Sequence, residues 1–230
     1  MAADLAGGAR APGSPDMSNV VIGILGGTGD EGRGLARRLS MAGHRVIIGS
    51  RSADRAAAAA AELGGGLDCG LNSYCAAEAD LVIAAIPWDG HKELLTQLAD
   101  LLAGKIVVDC VNPIGFDSHG AYPISVPEGS AAQQAAAVLP GSTVVGAFHH
   151  VSAQLLLDPE VDSMDQDILV LGDDRAATDL VIAIAGEIPG MRGVYGGRLR
   201  NCGQVEALTA NLVSINRRYK AHAGIRITDI

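Results

Sequence analysis

The residues best suited to chemistry are a run of glycines and, about twenty residues further on, a serine with two arginines. Gly27-Thr28-Gly29-Asp30-Glu31-Gly32 is a GxGxxG, with Gly26 one step ahead of it. Between a strand and a helix, such glycines allow a tight turn, a close approach of backbone to a pyrophosphate, and close helix–strand packing. The free N–H groups and positive dipole end of the helix then face the anion. Ser50, Arg51 and Arg55 stand where an NAD-selective site would carry Asp or Glu for the ribose 2′-OH. A carboxylate there would repel a 2′-phosphate. A hydroxyl and two guanidiniums would bind it through charge-assisted hydrogen bonds, and one guanidinium plane can lie on the adenine. The pattern points to NADP rather than NAD. The plainer reading of the two arginines is solvated charge at a helix start.

Three further loops follow predicted strands: Ile86-Pro87-Trp88, Asn112-Pro113-Ile114 and His149-His150-Val151. In a doubly wound sheet, ligands sit beyond the carboxyl ends of the strands, so these segments are candidates to line a site. Trp88 either lies against a nicotinamide or packs at a helix start. Adjacent strand residues point to opposite faces, so at most one of His149 and His150 can face a ligand directly. A lone histidine is more often packed or solvent-satisfied. We find no Ser-x-x-x-Tyr-x-x-x-Lys-like arrangement, no cysteine nucleophile with a placed partner and no metal cluster, and assign no catalytic acid or base. That favours a hydride acceptor needing little acid help, such as a flavin-like ring. Catalysis would then be the stacking of two rings in a dry, apolar cleft.

These residues need particular elements to position them. Residues 20–25 form an apolar, β-branched run, as expected of a strand buried on both faces. A helix follows over 31–41, a strand over 45–48, and an alanine-rich helix over 53–63 that Gly64-Gly65-Gly66 ends. Residues 67–79 hold a short strand and a short helix without clear bounds. Strands are then expected at 80–86, 105–110, 143–148 and 168–171, and helices at 91–102, 131–139, 175–188 and 205–220. Residues 117–129 lack a period and read as a loop over the site, and 157–167 as a solvated acidic loop. The fold class is α/β: a Rossmann-type, doubly wound, mostly parallel sheet with a smaller C-terminal α/β unit. The division expected is a flexible N-terminal tail over 1–18, an NADP-binding domain over 19–147 and a smaller C-terminal domain over 148–230.

Composition agrees with this. The chain has 230 residues, 48% of them hydrophobic but only 3% aromatic, which suits buried parallel strands. No run is long enough to span a membrane, and residues 1–18 lack the order of a signal peptide. The four cysteines show no CxxC or zinc spacing and read as reduced thiols in a cytoplasmic protein without a metal. A net charge of −9 argues against nucleic acid as a partner. From residue 191 onward, seven basic side chains face two acidic ones, so this region carries +5 and the rest of the chain −14. Such a region suits a second anionic ligand or an acidic subunit surface, or is ordinary solvated charge.

The ordered set of motifs carries a family resemblance. From Val21 to Ile227 the chain resembles the coenzyme F420-dependent NADP oxidoreductases. The resemblance rests on the glycine run 26–32, Gly49-Ser50-Arg51, Ile86-Pro87-Trp88, the strand ending at His149, Val205-Glu206-Ala207-Leu208-Thr209 and Asn216-Arg217-Arg218-Tyr219-Lys220. It implies hydride exchange between NADP(H) and C5 of the deazaflavin coenzyme F420. By this similarity Gly27, Thr28, Gly29, Asp30, Glu31, Ser50, Arg51 and Arg55 hold the NADP phosphates and ribose. Trp88, Ile114, Val151 and Ala153 line the nicotinamide region. The deazaflavin would lie over the nicotinamide, in an apolar cleft between Pro87, Asn112-Pro113, His149-His150-Val151 and the C-terminal unit. It also implies a homodimer in which the small domain makes contact. Cys202-Gly203 depart from the Ser- or Ala-rich sequence expected there, which leaves 191–203 the weakest part of the match. The rival readings are an NADPH-dependent imine, carbonyl or ferric reductase of Rossmann type, and a non-catalytic NADP-sensing module.

Overall fold

A computed structural model describes residues 20–230; the tail expected over 1–18 lies outside the described residues. Ten strands and eight helices alternate through most of the described chain. They begin β1 (Val21–Leu25), α1 (Asp30–Met41), β2 (Arg45–Ser50), α2 (Ala53–Leu63), β3 (Asp68–Leu71), α3 (Asn72–Glu78), β4 (Leu81–Ala84), α4 (His91–Leu102) and β5 (Ile106–Asp109). A hairpin of β6 (Ile114–Asp117) and β7 (Gly120–Pro123) follows, then α5 (Ala131–Val138), β8 (Thr143–Gly146) and α6 (Ala153–Leu157). The chain ends with β9 (Gln166–Gly172), α7 (Arg175–Gly186), β10 (Met191–Gly197) and α8 (Cys202–Tyr219).

Eight strands form one sheet in the order β10-β9-β8-β5-β4-β1-β2-β3. Neighbours pair in parallel except at β8–β9, where Val145 and Gly146 meet Gly172 and Leu171 antiparallel. The chain starts in the middle, winds outward through β2 and β3, then returns to lay β4 on the other side of β1. The order therefore reverses between β1 and β4, and a crevice opens there at the carboxyl ends. Residues 148–230 add β9 and β10 to this same sheet, so the C-terminal unit shares its framework.

The sheet alternates its side chains between two apolar layers, as the period of two requires. Ile22, Ile24, Ile48 and Ile83 face a layer with Leu35 and Leu39 of α1 and Val181 and Ile184 of α7. Leu25, Ile47, Val82 and Val107 face the other, with Leu95, Leu98 and Leu102 of α4 and Ala131 and Ala135 of α5. The leucine spacing of α4 and the alanines of α5 thus cover one face with little side-chain bulk.

Four expectations need correction. The 117–129 segment is partly a hairpin: Asp117 Oδ1 accepts from the N–H groups of His119 (2.7 Å) and Gly120 (3.1 Å), closing a side-chain-made turn between β6 and β7. Residues 191–197 form an edge strand, β10, where no strand was expected. The helix expected from 205 begins at Cys202. The acidic 157–167 loop is not wholly solvated: Asp167 is fully buried at the start of β9. It accepts from Arg192 Nε and Nη2, both at 2.8 Å, and from the Ile227 N–H at 2.6 Å.

Candidate functional site

A cavity of about 510 Å³ opens at the strand reversal, at the ends of β1, β2 and β4. Its floor is the turn from β1 into α1. Gly26 sits at φ +68°, a left-handed conformation that costs a glycine little, and the Gly27 N–H donates to Gly49 O at 2.9 Å. A Cβ on Gly32 would come within 2.8 Å of Gly27 Cα, so this glycine serves helix–strand approach. Gly29 is different. Its φ is ordinary at −81°, and a Cβ there would meet only Gly26 O, at 3.6 Å. The fold leaves room for a side chain at Gly29, and the space in front of it is free for a ligand.

Among the described residues no side chain caps the N-terminus of α1, so its first N–H groups face the cavity without an acceptor from a capping side chain. An anion bound there would satisfy them and meet the positive end of the helix dipole. At the β2 side, Ser50 is buried and lines the cavity, while Arg51 and Arg55 line its mouth with their residues exposed. Ser52 caps α2 by accepting from the Arg55 N–H, so Arg51 and Arg55 flank a fixed turn. Among the described residues neither arginine has a carboxylate partner within ion-pair distance. The groups present fit a dinucleotide carrying a further phosphate on its adenosine ribose: unpartnered cations at one end, an uncapped helix in the middle, and a glycine without bulk.

Of the residues singled out from the sequence, Thr28, Gly29, Asp30, Glu31, Ser50, Arg51, Arg55, Ile86 and Pro87 line this cavity together. Gly27 lies beneath it, where a Cβ would touch Ile48. Four residues of the opposite wall were not anticipated, namely Asp89, Glu93, Leu94 and Gln97 around the first turns of α4. Asn72 was also missed. Its Oδ1 accepts from the Gly26 N–H at 3.3 Å, bracing the turn from α3. Nothing in the weak 67–79 pattern marks that contact; it depends on β2 and β3 lying side by side.

The remaining candidates lie elsewhere. Trp88 packs its ring 5.6 Å from that of His91, tilted by 32°, and joins the apolar layer over α4 instead of lining the cavity. His149 and His150 are both buried. Among the described residues neither ring nitrogen of His149 has a hydrogen-bond partner, and burial pushes its pKa down to about 4. Burial, with His149 beside it, brings His150 to about 4 as well. Its Nε2 accepts from the Leu169 N–H at 3.3 Å. Both imidazoles are therefore neutral near pH 7, so neither is charged to donate a proton.

Asn112 and His149 are tied through the backbone. Asn112 Nδ2 donates to His149 O at 2.7 Å, and Thr209 Oγ1 of α8 donates to the same oxygen at 3.0 Å. Phe148, just before them, is fully buried at φ +65°, a strained conformation for a bulky residue that costs on the order of 1–3 kcal/mol. This tie joins the ends of β5 and β8 to α8 and holds the chain reversal after β8. Pro113 and Ile114 lead into the hairpin, where Pro113 O accepts from the Ile124 N–H. Val151 is half-buried, and Ala153 opens α6 behind a Ser152 cap. Buried Arg38 binds α6 to α1 by donating to the carbonyls of Leu155 (2.7 Å), Leu156 (2.9 Å) and Asp158 (3.1 Å).

A buried polar chain links residues far apart in the sequence. His91 Nε2 and Asp109 Oδ2 are 2.7 Å apart, and His91 Nδ1 and Gln134 Oε1 3.0 Å apart, which pins the start of α4 to β5 and α5. Burial works against charge on His91, but the Asp109 hydrogen bond and charge hold its pKa above the usual value. Glu206 of α8 is buried and caps α5, accepting from the Ala131 and Ala132 N–H groups at 2.8 and 3.2 Å. Burial raises its carboxyl to about 7, against the pull of those two N–H groups.

The basic C-terminal region is partly spent on structure. Arg192 is bound to Asp167 and also donates to the carbonyls of Ile227 and Ile230, and Arg226 pairs with Asp165 at 2.7 Å. Arg198 lies 3.6 Å from Asp173. Arg192 and Arg226 are thus clamps for the C-terminal segment, which corrects their reading as an anion site. Lys220 instead lines a second cavity of about 460 Å³ with Ser152, Gln154, Asn216 and His222, next to Val151 and Ala153 in the chain. Among the described residues no group of His, Cys, Asp and Glu side chains has metal-site geometry, and no helix is long and apolar enough to cross a membrane.

Residues 21–113 match the family model described as NADP oxidoreductase, coenzyme F420-dependent. The chain is 37% identical over 221 residues to an F420-dependent NADP reductase of Methanothermobacter thermautotrophicus, covering 91% of this chain and 95% of that one. It is also 37% identical over 222 residues to the F420-dependent NADP reductase of Methanocaldococcus jannaschii, covering 91% and 98%. The crystal structure of a putative F420-dependent NADP reductase from Arthrobacter sp. FB24 superposes with a TM-score of 0.77 at 27% identity, over 93% of this chain and all of that one.

Proposed function

The chain belongs to the coenzyme F420-dependent NADP oxidoreductase family, and from that premise we propose how its crevice carries out the family's reaction. The protein is an oxidoreductase that exchanges a hydride between NADP(H) and C5 of the deazaflavin coenzyme F420. When bound, the two coenzymes supply the chemistry themselves, one ring giving the hydride and the other taking it. The chain's part is to hold, align and desolvate.

In this reading Arg51, Arg55 and Ser50 hold the 2′-phosphate, and the glycine turn with the uncapped start of α1 holds the pyrophosphate. The single observation that carries it is the cavity in which these groups meet at the strand reversal. Ile86 and Pro87 guide the nicotinamide end. The deazaflavin lies between Pro87, Asn112-Pro113 and the His149-Val151 reversal, closed by α8. Trp88 and Ile114 act from behind this cleft, while Val151 and Ala153 border it. The two histidines, buried and neutral, add no charge near this cleft, which suits a transfer that needs no acid. Lys220, which lines the second cavity with Ser152 and Asn216, is the basic residue that would meet an acidic coenzyme tail there.

The functional division follows: residues 19–147 hold NADP, and 148–230 complete the deazaflavin site. The exposed apolar side chains of Phe116, Tyr122 and Ile124 on and after the hairpin, and Ile215 and Tyr219 on α8, favour a homodimer through this face. The hairpin packs against α8, so the two make one surface. Four cysteines without disulfides suit a cytoplasmic setting. The experiment is direct: mix the protein with NADPH and oxidised F420 and follow the deazaflavin's visible absorbance. Loss of that band with turnover is the expected result. An unchanged band with NADPH bound would leave a nucleotide sensor and overturn the reading.

A further inference from the structure

The nucleotide reading of the cavity gives no task to the inward-turned carboxylate of Glu31. Glu31 stands in the first turn of α1, where a carboxylate ordinarily points to solvent and complements the dipole. Its neighbour Asp30 does that, paired with Arg33 at 3.1 Å. Glu31 turns inward. It lines the cavity, its Oε1 is sealed from solvent with no hydrogen-bond partner among the described residues, and its carboxyl lies against the Cys110 side chain with Asp109 nearby. A sealed carboxyl oxygen with no donor is costly, and such groups in native structures call for an explanation.

Its place in the crevice suggests one. Arg51 and Arg55 follow β2 on one side of β1, whereas Asp109 ends β5 on the other and Cys110 follows it. A dinucleotide with its 2′-phosphate beyond β2 and its pyrophosphate on α1 must send its nicotinamide toward β4 and β5. Glu31 lines that half with Ala85, Ile86 and Pro87. The two redox forms of the coenzyme share every phosphate and differ by one positive charge, carried on this ring.

We propose that Glu31 reads the charge of the nicotinamide: ionised, its carboxyl favours the oxidised, cationic ring, and protonated, it favours the neutral, reduced ring. The inference rests on the nucleotide reading above. One proton on one side chain would then set the site's relative affinity for NADP+ and NADPH. Burial pushes the Glu31 carboxyl up to about 8; contact with Cys110 pulls it down, and the charge of Asp109 adds to the rise. Both states are therefore reachable near neutral pH.

The other charged groups around it are accounted for. On α1, Arg33 is shared between Asp30 and Glu62. At the end of β5, Asp109 is held by His91 and by the Val111 N–H, and the thiol of Cys110, the next residue, donates to Ala84 O. Asp89 and Glu93 line the facing wall at the start of α4, and Arg51 and Arg55 the far end. Among the described residues only Arg33 of these has a sealed atom without a partner, its Nε, and none of the carboxylates does.

The test is nucleotide binding without F420. For the wild type, the ratio of the Kd for NADP+ to that for NADPH should fall about tenfold between pH 6.5 and 9.5, the size of an ordinary coupling between two sites. The 2′-phosphate titrates in both nucleotides and cancels from the ratio. In Glu31→Gln the ratio should be flat within about twofold, since an amide carries no charge. A flat wild-type ratio, or a slope that survives in Glu31→Gln, overturns the proposal. Should the variant fail to fold, calorimetry of the wild type near pH 8 in buffers of differing ionisation enthalpy decides. NADP+ binding should release protons and NADPH binding should take them up; equal proton counts refute it. If neither nucleotide binds the wild type, the cavity reading itself fails, a distinct result.

Discussion

Replacing Gly29 with alanine separates a glycine kept for a ligand from one kept for the fold. At Gly29 the backbone is extended, and a new Cβ meets only Gly26 O at 3.6 Å, an ordinary contact. Gly29→Ala should thus leave the fold intact or stabilise it by about 0.4–1 kcal/mol, through a less flexible unfolded chain. That is roughly 1–4 °C in Tm for a chain of this size. At Gly32 the same change sets a Cβ 2.8 Å from Gly27 Cα and 2.9 Å from Gly26 O. Both are backbone atoms that cannot swing away, so Gly32→Ala should cost about 1–3 kcal/mol. For NADPH the order reverses in meaning. A methyl at Gly29 stands where the pyrophosphate must approach, and a clash of about 1.4–2.8 kcal/mol weakens binding ten- to a hundredfold. Thermal melts without ligand and fluorescence titrations with NADPH measure the two effects separately. Unchanged NADPH affinity in Gly29→Ala, or a melting loss like that of Gly32→Ala, would refute the reasoning.

Arg51→Ala and Arg55→Ala should each raise the Kd for NADPH by roughly 10- to 150-fold, the worth of a hydrogen bond to a charged group, and leave NADH nearly unchanged; equal losses for both nucleotides would remove the 2′-phosphate assignment. Asp167→Asn should lower the melting temperature by about 5–12 °C, because it uncouples a buried carboxylate from Arg192 and from the Ile227 N–H. The Arg192 hydrogen bond holds that carboxyl down to about 2 despite burial, so its contribution is present above pH 4 and lost as the pH falls through 2. The reverse sign holds for Glu206, whose carboxyl burial raises to about 7. Its stabilisation is full below the unfolded carboxylate range and lost as the pH rises through 7. Urea titrations of Glu206→Gln should therefore gain on the wild type by about 2–3 kcal/mol between pH 4.5 and 8.

The nucleotide half of the site is legible because its signals are local. The β-branched run of β1, the glycines and the Ser50-Arg51 turn each announce themselves within a few residues, and the strand reversal puts them together. What was hidden depends on distant partners. Gly193, in the middle of β10, breaks any strand pattern, yet a Cβ there would fall 2.5 Å from Ile182 O; α7 passes too close for a side chain. Asp167 looks like one more acid in a polar loop until Arg192, paired across the β9–β10 ladder, is laid beside it. The basic region reads as one anion-binding surface, although two of its arginines hold the C-terminal segment in place. Residue type alone gave no direction for Trp88, His149 or His150: the first covers α4, and the others are sealed in the core. Glu31 was grouped with the phosphate-binding turn, and only the fold reveals its inward carboxyl.

The most direct check of hydride exchange within this crevice follows a labelled atom. NADPH carrying deuterium at the transferable C4 position is mixed with the protein and oxidised F420, and the reduced deazaflavin is analysed by mass spectrometry. One deuterium per reduced molecule is expected, retained at C5 even in ordinary water, with the rate falling in Arg51→Ala at subsaturating NADPH. Deuterium lost to solvent, or reduction that proceeds equally well in Arg51→Ala at every NADPH concentration, would contradict it.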